Sequence, residues 1–188
     1  MSNSKKIAAI TGASSGIGAV YADRFAARGY DLILVARRAD RLEALSAKVS
    51  KAYGTKVEII VADLEKADDV ARVEQALATN SAVQVLVNNA GVARLRPLAQ
   101  APLEESLSQI ALNITALTRL THAVLPGFVS RNDGVIINIA DMAPHTQNPH
   151  NAVRPAKYAL ETNQGWFKKR GIKPGDKVEG LDRAGVAQ

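Results

Sequence analysis

The segment Thr11-Gly12-Ala13-Ser14-Ser15-Gly16-Ile17-Gly18 constrains this chain more than any other. Before it, Lys6–Thr11 reads as a short buried strand, apolar throughout from Ile7 to Ile10. After it a helical pattern runs to Ala27, with Gly29 placed to end the helix. A strand that passes directly into a helix needs Gly12 so that the chain can turn sharply. Gly16 removes a Cβ where the backbone must approach a ligand, and Gly18 lets the helix lie close to the sheet. The free N–H groups at the helix start then meet an anion with the favourable end of the helix dipole. A tight turn without a ligand is the alternative, and the strand and helix on either side weigh against it. The loop reads as a cradle for nucleotide phosphates, with Gly12, Ser14, Ser15, Gly16, Ile17 and Gly18 as candidate binding residues.

The pattern continues in alternation. Asp31–Ala36, Val57–Ala62, Val83–Asn88 and Gly134–Ile139 read as further strands with continuous apolar runs. Between them, Asp40 and Glu43 suggest a capping box ahead of a helix carrying Leu42, Leu45 and Val49. Ala67–Ala78 is helical with Val70, Val73 and Leu77 on one face, and Leu103–Val129 is a long helical region with a break expected near Pro126-Gly127. Apolar strands alternating with helices imply an α/β fold: a doubly wound, Rossmann-like parallel sheet covered on both faces. After Asp141 the pattern weakens. Ala156–Thr162 reads as a short helix, and no clear sixth strand follows. The expected division is a dinucleotide-binding domain over residues 1–163 and a basic tail over 164–188.

Bulk composition narrows the classes. The 188 residues fit one domain with a real core, and 47% apolar content excludes a disordered chain. Without cysteine there is no disulfide, thiolate zinc site or Cys nucleophile. The net charge of +6 is partly in the tail, where six Lys/Arg face three Asp/Glu. Only Trp166 and Phe167 accompany Lys168, Lys169 and Arg170, so the tail reads as a solvated basic end rather than a nucleic-acid surface. No signal peptide or membrane-length apolar run is visible, and the expectation is a cytoplasmic protein with no membrane and no nucleic-acid partner.

The spacing Gly12-x-x-x-Gly16-x-Gly18, together with Asn88-Asn89-Ala90-Gly91 after the fourth strand, resembles the short-chain dehydrogenase/reductase family over about residues 5–140. The resemblance implies a hydride-transferring oxidoreductase acting on a small-molecule carbonyl or alcohol, and a homo-oligomer. It places Asp63, followed by Leu64, near the adenine of the cofactor, with an N-cap of the next helix as the alternative role for Asp63. Asn89, Ala90 and Gly91 would run along the cofactor. Asn113 would belong to the proton relay, an ordinary polar helix position being the alternative.

The choice of cofactor falls at the end of the second strand. An acidic residue there would accept hydrogen bonds from a ribose 2′-hydroxyl and repel a 2′-phosphate. This chain has Ala36 followed by Arg37 and Arg38, which offer planar forks to a phosphate, so NADP(H) is expected over NAD(H). Arg41 reads as a solvated charge.

The family's acid is a tyrosine with a lysine four residues on. None of Tyr21, Tyr30, Tyr53 and Tyr158 has one. Counting from the strand Ile136-Ile137-Asn138-Ile139, the family's serine, tyrosine and lysine positions fall on Asp141, Arg154 and Tyr158. A one-residue slip would bring Lys157 to the lysine position but Val153 to the tyrosine. A guanidinium does not deprotonate near neutral pH, so Arg154 cannot replace a phenol. Asp141 could pair with Arg154, and Tyr158 beside Lys157 is a weak substitute pair because adjacent helix residues point apart. Asp141, His145 and His150 are too loosely spaced to indicate a metal, and none is expected. The sheet is expected to lack the family's last strands and the helices that cover a substrate. Three readings stay open: an NADP(H)-dependent oxidoreductase with an atypical active site, a catalytically silent NADP-binding sensor or subunit, and an altered or truncated form of a working enzyme.

Overall fold

A computed structural model describes residues 5–93, 97–140 and 159–161. The strands are β1 (Ile7–Thr11), β2 (Asp31–Ala36), β3 (Val57–Val61), β4 (Val83–Asn88), β5 (Val135–Ala140) and β6 (Ala159–Glu161). They form one sheet in the order β3-β2-β1-β4-β5-β6. β1 to β5 are mutually parallel, and β6 runs antiparallel beside β5. The connecting helices are α1 (Gly16–Ala27), α2 (Ala39–Tyr53), α3 (Ala67–Thr79), α4 (Leu103–Ile110) and α5 (Leu117–Arg131). The doubly wound α/β expectation therefore holds.

Strand periodicity explains the two layers of core. Ala8, Ile10, Leu32 and Leu34 pack on one face with Ala22 and Ala26 of α1 and Leu42 and Val49 of α2. Ala9, Ile33 and Val35, the alternate residues, pack on the other with Val70, Val73 and Leu77 of α3 and Leu120, Val124 and Phe128 of α5. Successive side chains of a strand point to opposite faces, and both faces here are covered, which is why these strands read as unbroken apolar runs. Ile10, Leu32, Ile33, Leu34, Leu86 and Leu120 are almost wholly removed from water. Each such side chain contributes about 1.5–3 kcal/mol of burial. Arg119 of α5 locks the outer helices together through two hydrogen bonds to the carboxylate of Glu74 on α3.

Three local expectations are corrected. The Asp40–Glu43 capping box does not form: Arg38 is the N-cap of α2, without a side-chain cap, and Asp40 lies inside the first turn. Only Arg37 and Arg38 separate β2 from α2, so the helix begins before Asp40 can cap it. Asp40 instead faces the positive end of the dipole.

The long helix does not break at Pro126, which lies within α5 on its exposed side, where the carbonyl that loses its partner meets water. The irregularity is a π-helical segment, Ala111–Ala116, between α4 and α5. Buried positions here recur every four residues, at Leu112, Ala116, Leu120, Val124 and Phe128. Leu120, Val124 and Phe128 keep that spacing on the regular helix α5. Leu112 and Ala116 are the buried residues of the π turn itself and join the same core.

Finally, Ala159–Glu161 is a strand rather than part of a helix. Its partner register is Asn138–Glu161, Ile139–Leu160 and Ala140–Ala159. The outer side of β5 offers an unpaired ladder of backbone groups, and that long-range pairing overrides a weak local helical pattern.

Candidate functional site

Strand order reverses direction between β1 and β4, which are neighbours in the sheet although far apart in sequence. In open α/β sheets, the crevice at such a switch point, beyond the carboxyl ends of the strands, is where ligands bind. The two loops that leave β1 and β4 there are the glycine loop and Asn89-Ala90-Gly91.

Thr11, buried at the end of β1, ties the loops together. Its hydroxyl donates to Val87 O at 3.3 Å and accepts from the backbone N–H groups of Asn89 and Ala90, both at 2.9 Å. Asn89 returns the contact: Nδ2 donates to Thr11 O at 3.0 Å and Gly12 O at 3.3 Å. This close approach explains two of the glycines. A Cβ on Gly12, whose φ is +64°, would lie 2.7 Å from Asn89 Nδ2 and 2.9 Å from Ala90 Cα. A Cβ on Gly18 would lie 2.5 Å from Gly12 O. Gly16 differs. Its φ is +56°, yet nothing lies within 4 Å of an added Cβ. The loop is therefore packed from behind and open in front, over the start of α1.

Below this, Asn88 at the end of β4 donates from Nδ2 to Thr121 Oγ1 of α5 and to Asn138 Oδ1 of β5, both at 3.0 Å. Asn113 lies in the π segment and grips the chain after β4 with both ends of its amide. Nδ2 donates to Val92 O at 2.8 Å, and Oδ1 accepts from Val92 N–H at 3.0 Å. Its side chain holds the Asn89–Val92 loop with one N–H and one lone pair, leaving a second of each.

Past β3, Asp63 is not an N-cap for α3, whose N-cap is Lys66 without a side-chain bond. Asp63 Oδ1 accepts from Glu65 N–H at 3.2 Å, closing a small turn. The N–H of Asp63 is held by Asp69 Oδ2 at 2.7 Å, and Arg72 Nη2 donates to Asp69 Oδ1 at 2.7 Å. Leu64 is buried in the core, so any ligand could meet it only through its backbone.

The Arg72 guanidinium, followed by the Asp63 N–H, holds the Asp69 carboxyl below the usual carboxylate range. A lowered folded-state value contributes stability above the unfolded carboxylate pKa, and that contribution is lost as pH falls through the folded value. Asp69→Asn is therefore expected to lower the melting temperature at neutral pH, with the gap from wild type closing in acid. Melts across that range check it; a gap independent of pH would refute the ionic contribution.

At the end of β2 the two arginines behave differently. Arg38 Nη2 reaches across to the glycine loop, donating to Ser14 Oγ at 3.0 Å and Ser15 Oγ at 2.8 Å. Arg37 is exposed, and its Nη1 lies 3.9 Å from Glu65 Oε1. Sequence reading placed Thr11 in the loop without its clamping role, and missed Asp69, Glu65 and Ser108 as parts of this region. The spacing from Lys66 to Asp69, an acidic residue three after a helix N-cap, was the available signal for Asp69. Asp141, Arg154, Lys157, Tyr158, His145, His150 and the 164–188 tail lie outside the described residues. Among the described residues no group of His, Asp or Glu could hold a metal, and no helix is long and apolar enough to cross a membrane.

The fold and the clamped loops define the class: a doubly wound α/β protein whose glycine loop meets the Asn89–Gly91 loop at the switch point. Residues 6–161 match the family described as short chain dehydrogenase, and the chain belongs to that family. A short-chain dehydrogenase from Sphingobium yanoikuyae, solved in complex with NADPH, is 48% identical, with a TM-score of 0.69 over 71% of this chain and 52% of that one. A very-long-chain 3-oxoacyl-CoA reductase of Pyrenophora tritici-repentis is 36% identical over 76% of this chain and 43% of its own length. An inactive hydroxysteroid dehydrogenase-like protein 1 of Homo sapiens is 33% identical over 71% and 41%. The chain spans about half the length of the curated relatives it matches.

Proposed function

We propose that the chain binds NADP(H) at the β1–β4 switch point and serves an oxidoreductase reaction between a carbonyl and an alcohol. The observation that carries this reading is the glycine loop, packed from behind by Asn89 and open in front at Gly16, with Arg38 drawn onto Ser14 and Ser15 beside it. The open face at Gly16 and the adjacent guanidinium groups fit a pyrophosphate and a 2′-phosphate. When bound, the cofactor supplies or accepts the hydride. Gly12, Ser14, Ser15, Gly16, Ile17 and Gly18 would hold the pyrophosphate, Arg37 and Arg38 the 2′-phosphate, and Asp63 and Leu64 the adenine side. Asn89, Ala90 and Gly91 would flank the nicotinamide half, steadied by Asn113.

A second reading, a catalytically silent NADP-binding protein, is favoured by one fact: no tyrosine in the chain has a lysine four residues later. One titration series tests both. NADPH is expected to bind roughly 10- to 100-fold tighter than NADH, the worth of charge-assisted phosphate contacts. Arg37→Asp is expected to weaken NADPH selectively. Turnover on a panel of ketones and aldehydes supports the oxidoreductase; binding without turnover supports the silent protein; equal or tighter NADH binding removes the NADP preference. Self-association and a cytoplasmic location belong to the same reading. Sedimentation of the purified chain and fractionation of expressing cells check them, a monomer or a membrane-bound pool removing the respective claim.

A further inference from the structure

The two arginines after β2 differ in what already holds them. Arg38 is bound by two neutral hydroxyls. Arg37 faces a carboxylate, that of Glu65, at 3.9 Å. Glu65 is itself fixed: Ser108 of α4 donates to its Oε2 at 2.7 Å, and its N–H is bonded to Asp63 Oδ1 at 3.2 Å. Its side chain is only 25% exposed while that of Arg37 is 64% exposed, so the carboxylate is the stationary partner and the guanidinium the movable one.

We propose that Glu65 is a specificity-determining residue: its carboxylate, anchored by Ser108, competes with an anionic 2′-substituent for Arg37 and so sets how strongly the chain prefers NADP(H) over NAD(H). This rests on the reading that NADP(H) binds beside Arg37 and Arg38. An exposed guanidinium can leave a loose ion pair at little cost. A phosphate dianion offers it two oxygens in a matching fork. Glu65 opposes that exchange twice, by neutralising Arg37 and by repelling the incoming phosphate. A ribose 2′-hydroxyl carries no charge and feels neither effect.

Dissociation constants for NADPH and NADH on wild type, Glu65→Gln, Arg37→Gln and the double variant test the proposal. Gln keeps an oxygen for Ser108 and loses only the charge. Glu65→Gln is expected to tighten NADPH by roughly three- to fivefold, the scale of one partly exposed ion pair, and to leave NADH unchanged. Glu65→Lys is expected to move the ratio further in the same direction. In the Arg37→Gln background most of the gain is expected to vanish. An unchanged NADPH/NADH ratio, equal shifts for both cofactors, or a gain of full size without Arg37 would overturn the role of Glu65 alone. Wild type that binds neither cofactor would overturn the underlying reading with it.

Discussion

Thr11→Val is expected to destabilise the folded protein by about 1–3 kcal/mol, because it takes the acceptor from two part-buried backbone N–H groups. Valine matches the shape of threonine, so packing is retained and the hydroxyl alone is lost. That hydroxyl is the acceptor for the N–H groups of Asn89 and Ala90. Thr11 itself is 2% exposed at the end of β1. Thr11→Ser keeps the acceptor and loses a methyl group, so it is expected to recover most of the stability. Urea denaturation of the three proteins measures this. A valine variant as stable as wild type would mean that the two loops are not held through Thr11.

The second large effect separates two glycines that look alike in sequence. Gly12 and Gly16 both have positive φ, +64° and +56°, so alanine at either meets the same left-handed penalty of about 1–2 kcal/mol. At Gly12 the new Cβ would also press on Asn89 Nδ2 and Ala90 Cα, adding roughly 1–3 kcal/mol of overpacking. At Gly16 the space is open. Gly12→Ala is thus expected to lose about 2–5 kcal/mol of stability. Gly16→Ala is expected to lose about 1–2 kcal/mol and remain folded while NADPH binding falls at least tenfold, since its methyl group occupies the face a phosphate would approach. Denaturation paired with cofactor titration reads both. Equal stability losses would contradict the crowding behind Gly12, and undiminished NADPH binding by Gly16→Ala would contradict the position given to the phosphates.

Much of the architecture was legible in order. Apolar runs such as Leu32–Val35 and Val85–Val87 identify strands buried on both faces, and Val70, Val73 and Leu77 show which side of α3 meets the sheet. The glycine spacing and Asn88–Gly91 marked the two loops that converge at the switch point. What stayed hidden depended on distant partners. Nothing near Pro126 in sequence reveals that the irregular turn lies at Ala111–Ala116 instead, where Leu112 and Ala116 pack into the core against the sheet. Asp40 looked like a cap, but the brevity of the β2–α2 connection gives that position to Arg38.

The opening segment shows the division most clearly. By itself, Thr11–Gly18 between a strand and a helix marked a sharp glycine turn, and together with Asn88–Gly91 it pointed to the family, since glycine at those positions answers to local backbone sterics. Only the tertiary structure decided what each residue there does. Thr11 became the joint between two loops 78 residues apart in sequence. Gly12 became a packing position and Gly16 an open one, and the two adjacent arginines were split between serine hydroxyls and a carboxylate. Those distinctions are set by contacts across the sheet's carboxyl edge, which local spacing does not encode.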